Sequence, residues 1–276
     1  MDNANIMELA SLAAALLATG GIAGIAAGLL GVGGGIVIVP VLYYVFPLVG
    51  VEREVVMHLA VGTSLATIVA TGYSSARAHW LRGSVDMDLL KRWWLPISAG
   101  VIAGATLAGN LSGGALSLVF GTVALLVSAN MVLRKEGSGI ADKLPGTPIR
   151  EMLGAIIGGV SVMMGIGGGT LGVPILTLFS YPIRKAVGTA AAIGLIIAVP
   201  GTLSSIYFGY GNPDLPPFSL GYINLLGFIL IIPGSLLMAP VGAKLAHTLP
   251  PAKLRLVFAA FLAFTGARMI YSVLAG

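Results

Sequence analysis

The residues of this chain whose types and spacing could do chemistry are mainly glycines. Gly31-Val-Gly-Gly-Gly35 and Gly165-Ile-Gly-Gly-Gly169 are two copies of one cluster, each followed by a short apolar segment with a proline, Pro40 or Pro174, at the same spacing. Runs of glycine leave amide N–H groups unobstructed and permit positive φ angles, so a cluster that opens into a helix offers several donors to a small oxyanion. Gly31, Gly33, Gly34, Gly35, Gly165, Gly167, Gly168 and Gly169 are therefore the expected substrate-binding residues. Glycine also serves simply to let helices approach closely, but its recurrence before two half-length segments favours a site. Thr63, Ser64 and Thr189 add hydroxyls, because Ala60-Val-Gly-Thr63 and Ala186-Val-Gly-Thr189 form a second repeated motif. Thr67 and Thr71 extend the Thr63 face at four-residue spacing, where hydroxyls also bond back to their own helix. His58 and Arg184 precede the two motifs at equivalent positions. One would gate or sense protons and the other attract anions, unless both only anchor helix ends.

Catalytic and metal-binding sets are not expected. The chain has no cysteine, and its three histidines, His58, His79 and His247, are scattered without a His-Glu-x-x-His pair. No Gly-x-x-x-x-Gly-Lys-[Ser/Thr] loop is present for a nucleotide, and no cofactor is implied.

The elements that position the glycines must be membrane helices. Of 276 residues, 57% are hydrophobic and 9% charged, with a mean hydropathy of +0.99, whereas a soluble domain carries about 25% charged residues. Many stretches run for about 20 apolar residues rather than alternating every second residue, which indicates helices and not barrel strands. The net charge of +5 sits in short loops, so no nucleic-acid surface is expected. Met1 to Ser11 lacks Lys and Arg and is read as retained rather than as a cleaved signal peptide.

The two glycine segments, residues 31–44 and 165–178, share half of their positions at an offset of 134, which also pairs Gly20 and Gly24 with Gly154 and Gly158. Each half reads as one unit: a long apolar helix, the glycine cluster, a half-length segment, then three helices. Expected helices are 8–30, 53–79, 91–110 and 113–133, then 149–164, 170–180, 185–208, 219–247 and 252–274. The first repeat is 1–135, a cytoplasmic linker 136–148, and the second repeat 149–276. From Ile36 to Phe46 the chain spans only about 16 Å at 1.5 Å per residue, half of a ~30 Å hydrocarbon core. The fold class is thus an all-α integral membrane protein of two repeats, each a glycine-tipped re-entrant or broken helical hairpin plus three transmembrane helices. An odd number of crossings per repeat requires inverted topology. Under it Arg77, Arg82, Lys91, Arg92, Arg134, Lys135, Lys143, Arg150, Arg184, Lys185, Lys244, Lys253 and Arg255 all face the cytoplasm, leaving only Arg53 and Arg268 outside. Both termini then lie outside the cytoplasm.

Two copies of Gly-x-Gly-Gly-Gly with a downstream proline, each followed by Ala-Val-Gly-Thr, resemble the sulfite exporter TauE/SafE family over essentially the whole chain. The resemblance implies a bacterial inner-membrane, multi-pass exporter of small sulfur oxyanions or organosulfonates such as sulfite or sulfoacetate. Alternating access of inverted halves around paired glycine tips would carry the substrate. An anion channel, or an importer of another small anion, uses the same architecture, and a membrane-embedded enzyme is the rival class. Expected partners are a small anionic substrate and membrane lipid, with no nucleic acid. A homo-oligomer is compatible with the sequence, and no coupling ion is specified by it.

Overall fold

A computed structural model describes residues 3–30, 33–133, 140–248 and 251–275. Gly31 of the first cluster, together with Arg134 and Lys135 at the end of the first repeat, lies outside the described residues. The described chain is built from α-helices: α1 (Asn3–Leu30), α2 (Gly35–Val45), α3 (Arg53–Leu81), α4 (Met87–Asn110), α5 (Gly113–Leu133), α6 (Ile149–Met164), α7 (Gly168–Leu178), α8 (Ile183–Gly209), α9 (Leu225–Thr248) and α10 (Pro251–Leu274). A short 3-10 turn, Phe46–Val49, follows α2. Four stretches, Arg53–Leu81, Gly113–Leu133, Ile183–Gly209 and Leu256–Leu274, are long and apolar enough to cross a membrane, and further shorter apolar helices accompany them. The protein is a multi-pass membrane protein.

Helix starts follow local capping more closely than hydropathy. α4 begins at Met87 rather than at 91 because the Asp86 carboxylate accepts from the N–H groups of Asp88 at 3.1 Å and Leu89 at 2.9 Å. α9 begins at Leu225 rather than 219, since Phe218 and Gly221 hold positive φ angles of 62° and 54°. Asn224 then accepts from Gly227 N–H at 2.8 Å. At the other end, α6 stops where Gly165 turns left-handed at φ 65°.

The core is formed by α3, whose most apolar window is 83% buried against 28% for α10. Met57 and Leu65 of α3 are buried completely, as are Ile36, Leu42, Trp93 and Ile97. Leu126, Leu237, Val257 and Phe264 are exposed on outer helices, as surfaces solvated by lipid tails should be.

Helices meet through glycine. In α1 and α9 the notch at Gly20 receives the Ile231 carbonyl and that at Gly24 the Ser235 carbonyl, so these helices run parallel. α4 and α6 pack in the same sense, with Ala155 on Gly100 and Gly159 on Gly104. Two other pairs are antiparallel. Gly62 meets Ser205, Leu65 meets Gly201 and Gly72 meets Leu195 between α3 and α8. Gly114 meets Val273 and Gly121 meets Ile270 between α5 and α10, where Ser128 also donates to Ala259 O at 2.7 Å. Every one of these pairs joins one half of the chain to the other.

A side chain in such a notch must push two backbones apart. Gly104→Leu should lower the melting temperature in detergent by the equivalent of about 1–3 kcal/mol or more. Gly21→Ala, whose Cβ would meet only the Met238 side chain at 3.6 Å, should melt as the wild type does.

Candidate functional site

The two glycine clusters meet at the middle of the core. α2 and α7 are 11 residues each, about 16 Å at 1.5 Å per residue. Both start beside the middle of a long helix: Gly35 against Ser64 and Ile68 of α3, and Gly168 against Ala190 and Gly194 of α8. A Cβ on Gly33 would lie 3.9 Å from Gly167 Cα, and one on Gly35 would lie 2.5 Å from the Gly165 carbonyl. Ser64 Oγ donates to that same carbonyl at 2.7 Å. Its counterpart in the second repeat is Ala190, so this hydrogen bond from α3 to the second tip is one-sided.

Only glycine fits here. Gly34 caps α2 at φ 77°, a left-handed conformation that costs L side chains about 1–2 kcal/mol. The Gly35 and Gly165 Cβ positions are occupied by backbone of the facing tip or of α3. The hairpins differ in depth. Ala23 O lies 3.0 Å from a Gly34 Cβ, so α1 continues about two turns past that contact, whereas α6 ends at its tip.

Thr63 and Thr189, next to the tip contacts at Ser64 and Ala190, each receive a loop of the other repeat. Thr63 Oγ1 accepts from Asn224 N–H at 2.9 Å, and Thr189 Oγ1 accepts from Asp86 N–H at 2.9 Å. Both threonines are fully buried. Gly62 and Gly188, one residue earlier, leave room for the carbonyls of Tyr222 and Ser84. The Val-Gly-Thr motif is thus a seat for the loop that caps the fourth helix of each repeat. Thr67 and Thr71 bond back to Ser64 O at 2.7 Å and Thr67 O at 3.0 Å.

His58 and Arg184 sit at opposite ends of the antiparallel α3 and α8 pair. Arg184 is exposed in the first turn of α8. His58 stacks on Tyr222 with ring centroids 4.8 Å apart, and its Nε2 lies 3.1 Å from Ala108 O. It lines a cavity of about 30 Å³ with Val61, Leu65, Val162, Ser205 and Phe208, room for one or two waters. The cavity floor at Val61 abuts the second tip, since a Gly165 Cβ would lie 2.8 Å from Val61 Cα.

A cluster at the other end was not singled out from the sequence. The Tyr181 hydroxyl, just after α7, donates to the second oxygen of Asp86. Burial alone would raise the Asp86 carboxyl. The Leu89 N–H, the Tyr181 hydroxyl and the charge of Lys185 outweigh burial and hold it below the ordinary carboxylate value. Burial first, and then the Asp86 contact, push the Tyr181 phenol upward. An acidic residue before an apolar run was the available signal for Asp86. Its match to Asn224, at the same 138-residue offset as Leu118-Val-Phe120 and Leu256-Val-Phe258, was the second.

Residues 16–269 match the family model described as sulfite exporter TauE/SafE. The chain belongs to this family. It is 36% identical over 254 residues to a probable membrane transporter protein of Haemophilus influenzae, covering 92% of this chain and 96% of the relative. It is also 26% identical to the probable membrane transporter protein YunE of Bacillus subtilis, with 93% and 96% covered. A probable membrane transporter protein of Methanocaldococcus jannaschii is 25% identical, with 92% and 94% covered. No solved structure matches the chain. Family and relatives together point to a membrane transporter rather than an enzyme.

Two outcomes are expected at the loop seats. Thr63→Val leaves the buried Asn224 N–H without an acceptor and should cost roughly 1–3 kcal/mol of stability, read as a lower melting temperature. Asp86→Asn retains a capping oxygen but loses the charge. A depressed carboxyl stabilises above its unfolded value and loses that contribution as pH falls through its folded one. The variant should therefore melt below the wild type at pH 7, with the gap closing below about pH 4.

Proposed function

We propose that this protein is a secondary transporter that exports small sulfur oxyanions or organosulfonates, sulfite or sulfoacetate, across the bacterial cytoplasmic membrane. The observation that carries the reading is the meeting of two half-length helices at their glycine N-termini, Gly33 beside Gly167, in the middle of the core. Helix N-termini with bare backbone are anion sites, and irregular backbone at membrane depth belongs where a substrate passes.

In this reading the two repeats are inverted. The antiparallel packing of the repeat mates α3 with α8 and α5 with α10 supports it, and so does the positive-inside rule, because inversion would gather thirteen of the fifteen Lys and Arg residues on the cytoplasmic side. Both termini lie outside the cytoplasm. Rocking of one repeat against the other exposes the tips alternately, with His58 and Tyr222 closing the outer approach and Tyr181 and Asp86 the inner one. Arg184 then faces the cytoplasm, where it attracts anions. An inside-negative potential favours anion exit by about 2.3 kcal/mol per charge per 100 mV, so export needs no nucleotide.

The test is sulfite and sulfoacetate efflux from liposomes reconstituted with purified protein at imposed potentials. Wild type should show saturable, potential-dependent flux with counter-transport. Ser64→Ala, which removes the bond from α3 to the second tip, should cut flux severalfold while remaining monodisperse. Gly168→Ala, whose Cβ would lie 2.6 Å from Ala190 O, should abolish it. Absence of flux with both anions and with sulfate overturns the sulfur-anion reading, and flux without saturation or counter-transport favours a channel.

A further inference from the structure

The two glycine tips are alike in backbone but differ in the side chains around them. At the offset that aligns the clusters, Ile36 of the first repeat corresponds to Thr170 of the second. At the offset that aligns the Ala-Val-Gly-Thr motifs, Ile68 corresponds to Gly194. Ile36 is fully buried in the first turn of α2. Ile68 lies against the same tip, its side chain 2.8 Å from a Gly35 Cβ and 3.6 Å from a Gly33 Cβ. The first tip is thus closed by two isoleucines.

The second tip carries hydroxyls and a glycine instead. Thr170 is 4% exposed, and its hydroxyl has no hydrogen-bond partner. A buried hydroxyl left unpaired carries a desolvation cost, and none of that cost falls on the apolar Ile36. Thr170 is the third residue of α7, and helical side chains lean toward the helix N-terminus. Its side chain therefore leans toward the first N–H groups of α7, which have no acceptor within the helix. Gly194 faces those groups from α8. Within 4 Å of its Cβ position lie only Gly168 N at 3.3 Å and Gly167 Cα at 3.8 Å, so no side chain from this position covers them. Ser161, in the last turn of α6, is a second fully buried hydroxyl of the same hairpin without a partner.

Resting on the transport reading above, we propose that the oxyanion group of the substrate binds at the second tip alone. Gly168, Gly169 and Thr170 donate backbone N–H groups, the Thr170 hydroxyl donates a further hydrogen bond, and Gly194 keeps α8 from placing a side chain over these groups. The first tip serves as an apolar wall. The ligand class is a compact oxyanion with several acceptor oxygens, for which three amides and a hydroxyl replace part of the hydration shell.

The experiment uses the full chain in liposomes and in detergent, with sulfite, sulfate and sulfoacetate as probes. It reads the KM for efflux and the rise in melting temperature caused by each anion. Thr170→Val keeps the shape and removes the hydroxyl, so it should raise KM about tenfold and lose most of the anion-induced rise. Thr170→Ser should restore both, and Ile36→Val should match the wild type. Gly194→Ala places a Cβ against Gly168 N and should also raise KM, which keeps the proposal open to failure if Thr170→Val does not fold. Unchanged KM in both second-tip variants, or an equal rise in Ile36→Val, overturns the one-sided site while transport stands. A wild type with neither flux nor an anion-induced rise overturns the site and the transport reading together.

Discussion

The arrangement depends on a backbone carbonyl of one helix occupying the place where a Cβ of another would be. Gly20 with Ile231, Gly24 with Ser235, Gly100 with Ala155 and Gly104 with Gly159 all repeat this contact, and Gly62 with Tyr222 and Gly188 with Ser84 repeat it with a loop carbonyl. In lipid there is no hydrophobic gain from bringing helices together, so association rests on how many atoms touch. Removing the side chain from one surface brings two backbones into van der Waals range and concentrates many weak contacts along each seam. The same device brings the tips together at the centre, with Gly35 against Gly165 O.

Polar groups inside this packing are largely tied to backbone. Each repeat must return its chain from the third helix to the fourth, and each return exposes an N–H at the capping residue. The first repeat hands that N–H to Thr189 and the second hands its own to Thr63. Each copy thus supplies the acceptor that completes the other. The capping residues differ in charge, with Asp86 at one end and Asn224 at the other. Only Asp86 is held ionised by its neighbours, among them Tyr181 and Lys185.

Long helices and duplicated glycine clusters were legible in the sequence because both are local patterns of composition and spacing. The starts of α4 and α9 were less so. Hydropathy cannot distinguish an apolar turn from an apolar helix, and the residues before Leu225 turn at Phe218 and Gly221 despite being apolar. The buried face bearing Thr63, Thr67 and Thr71 was readable from its four-residue spacing. Its partners were not, since the N–H that Thr63 accepts belongs to a residue 161 positions away. Ser64 and its mate Ala190 already marked the halves as unequal, but Thr170 and Gly194 gain meaning only when the tips are seen facing α8.

The parallel seam between α1 and α9 has a consequence for biogenesis. Gly20 and Gly24 find their carbonyls on Ile231 and Ser235, so α1 enters the bilayer with its principal partner about 200 residues from being made. At about 5–20 residues per second, roughly ten to forty seconds pass before the seam can close. During that interval a glycine-lined helix stands among lipids, open to pairing with any other glycine-lined helix nearby, including α1 of a neighbouring nascent chain. Slow synthesis or crowded insertion sites would therefore favour misassembly at this helix before any other, and the insertion machinery is the natural place for it to be held.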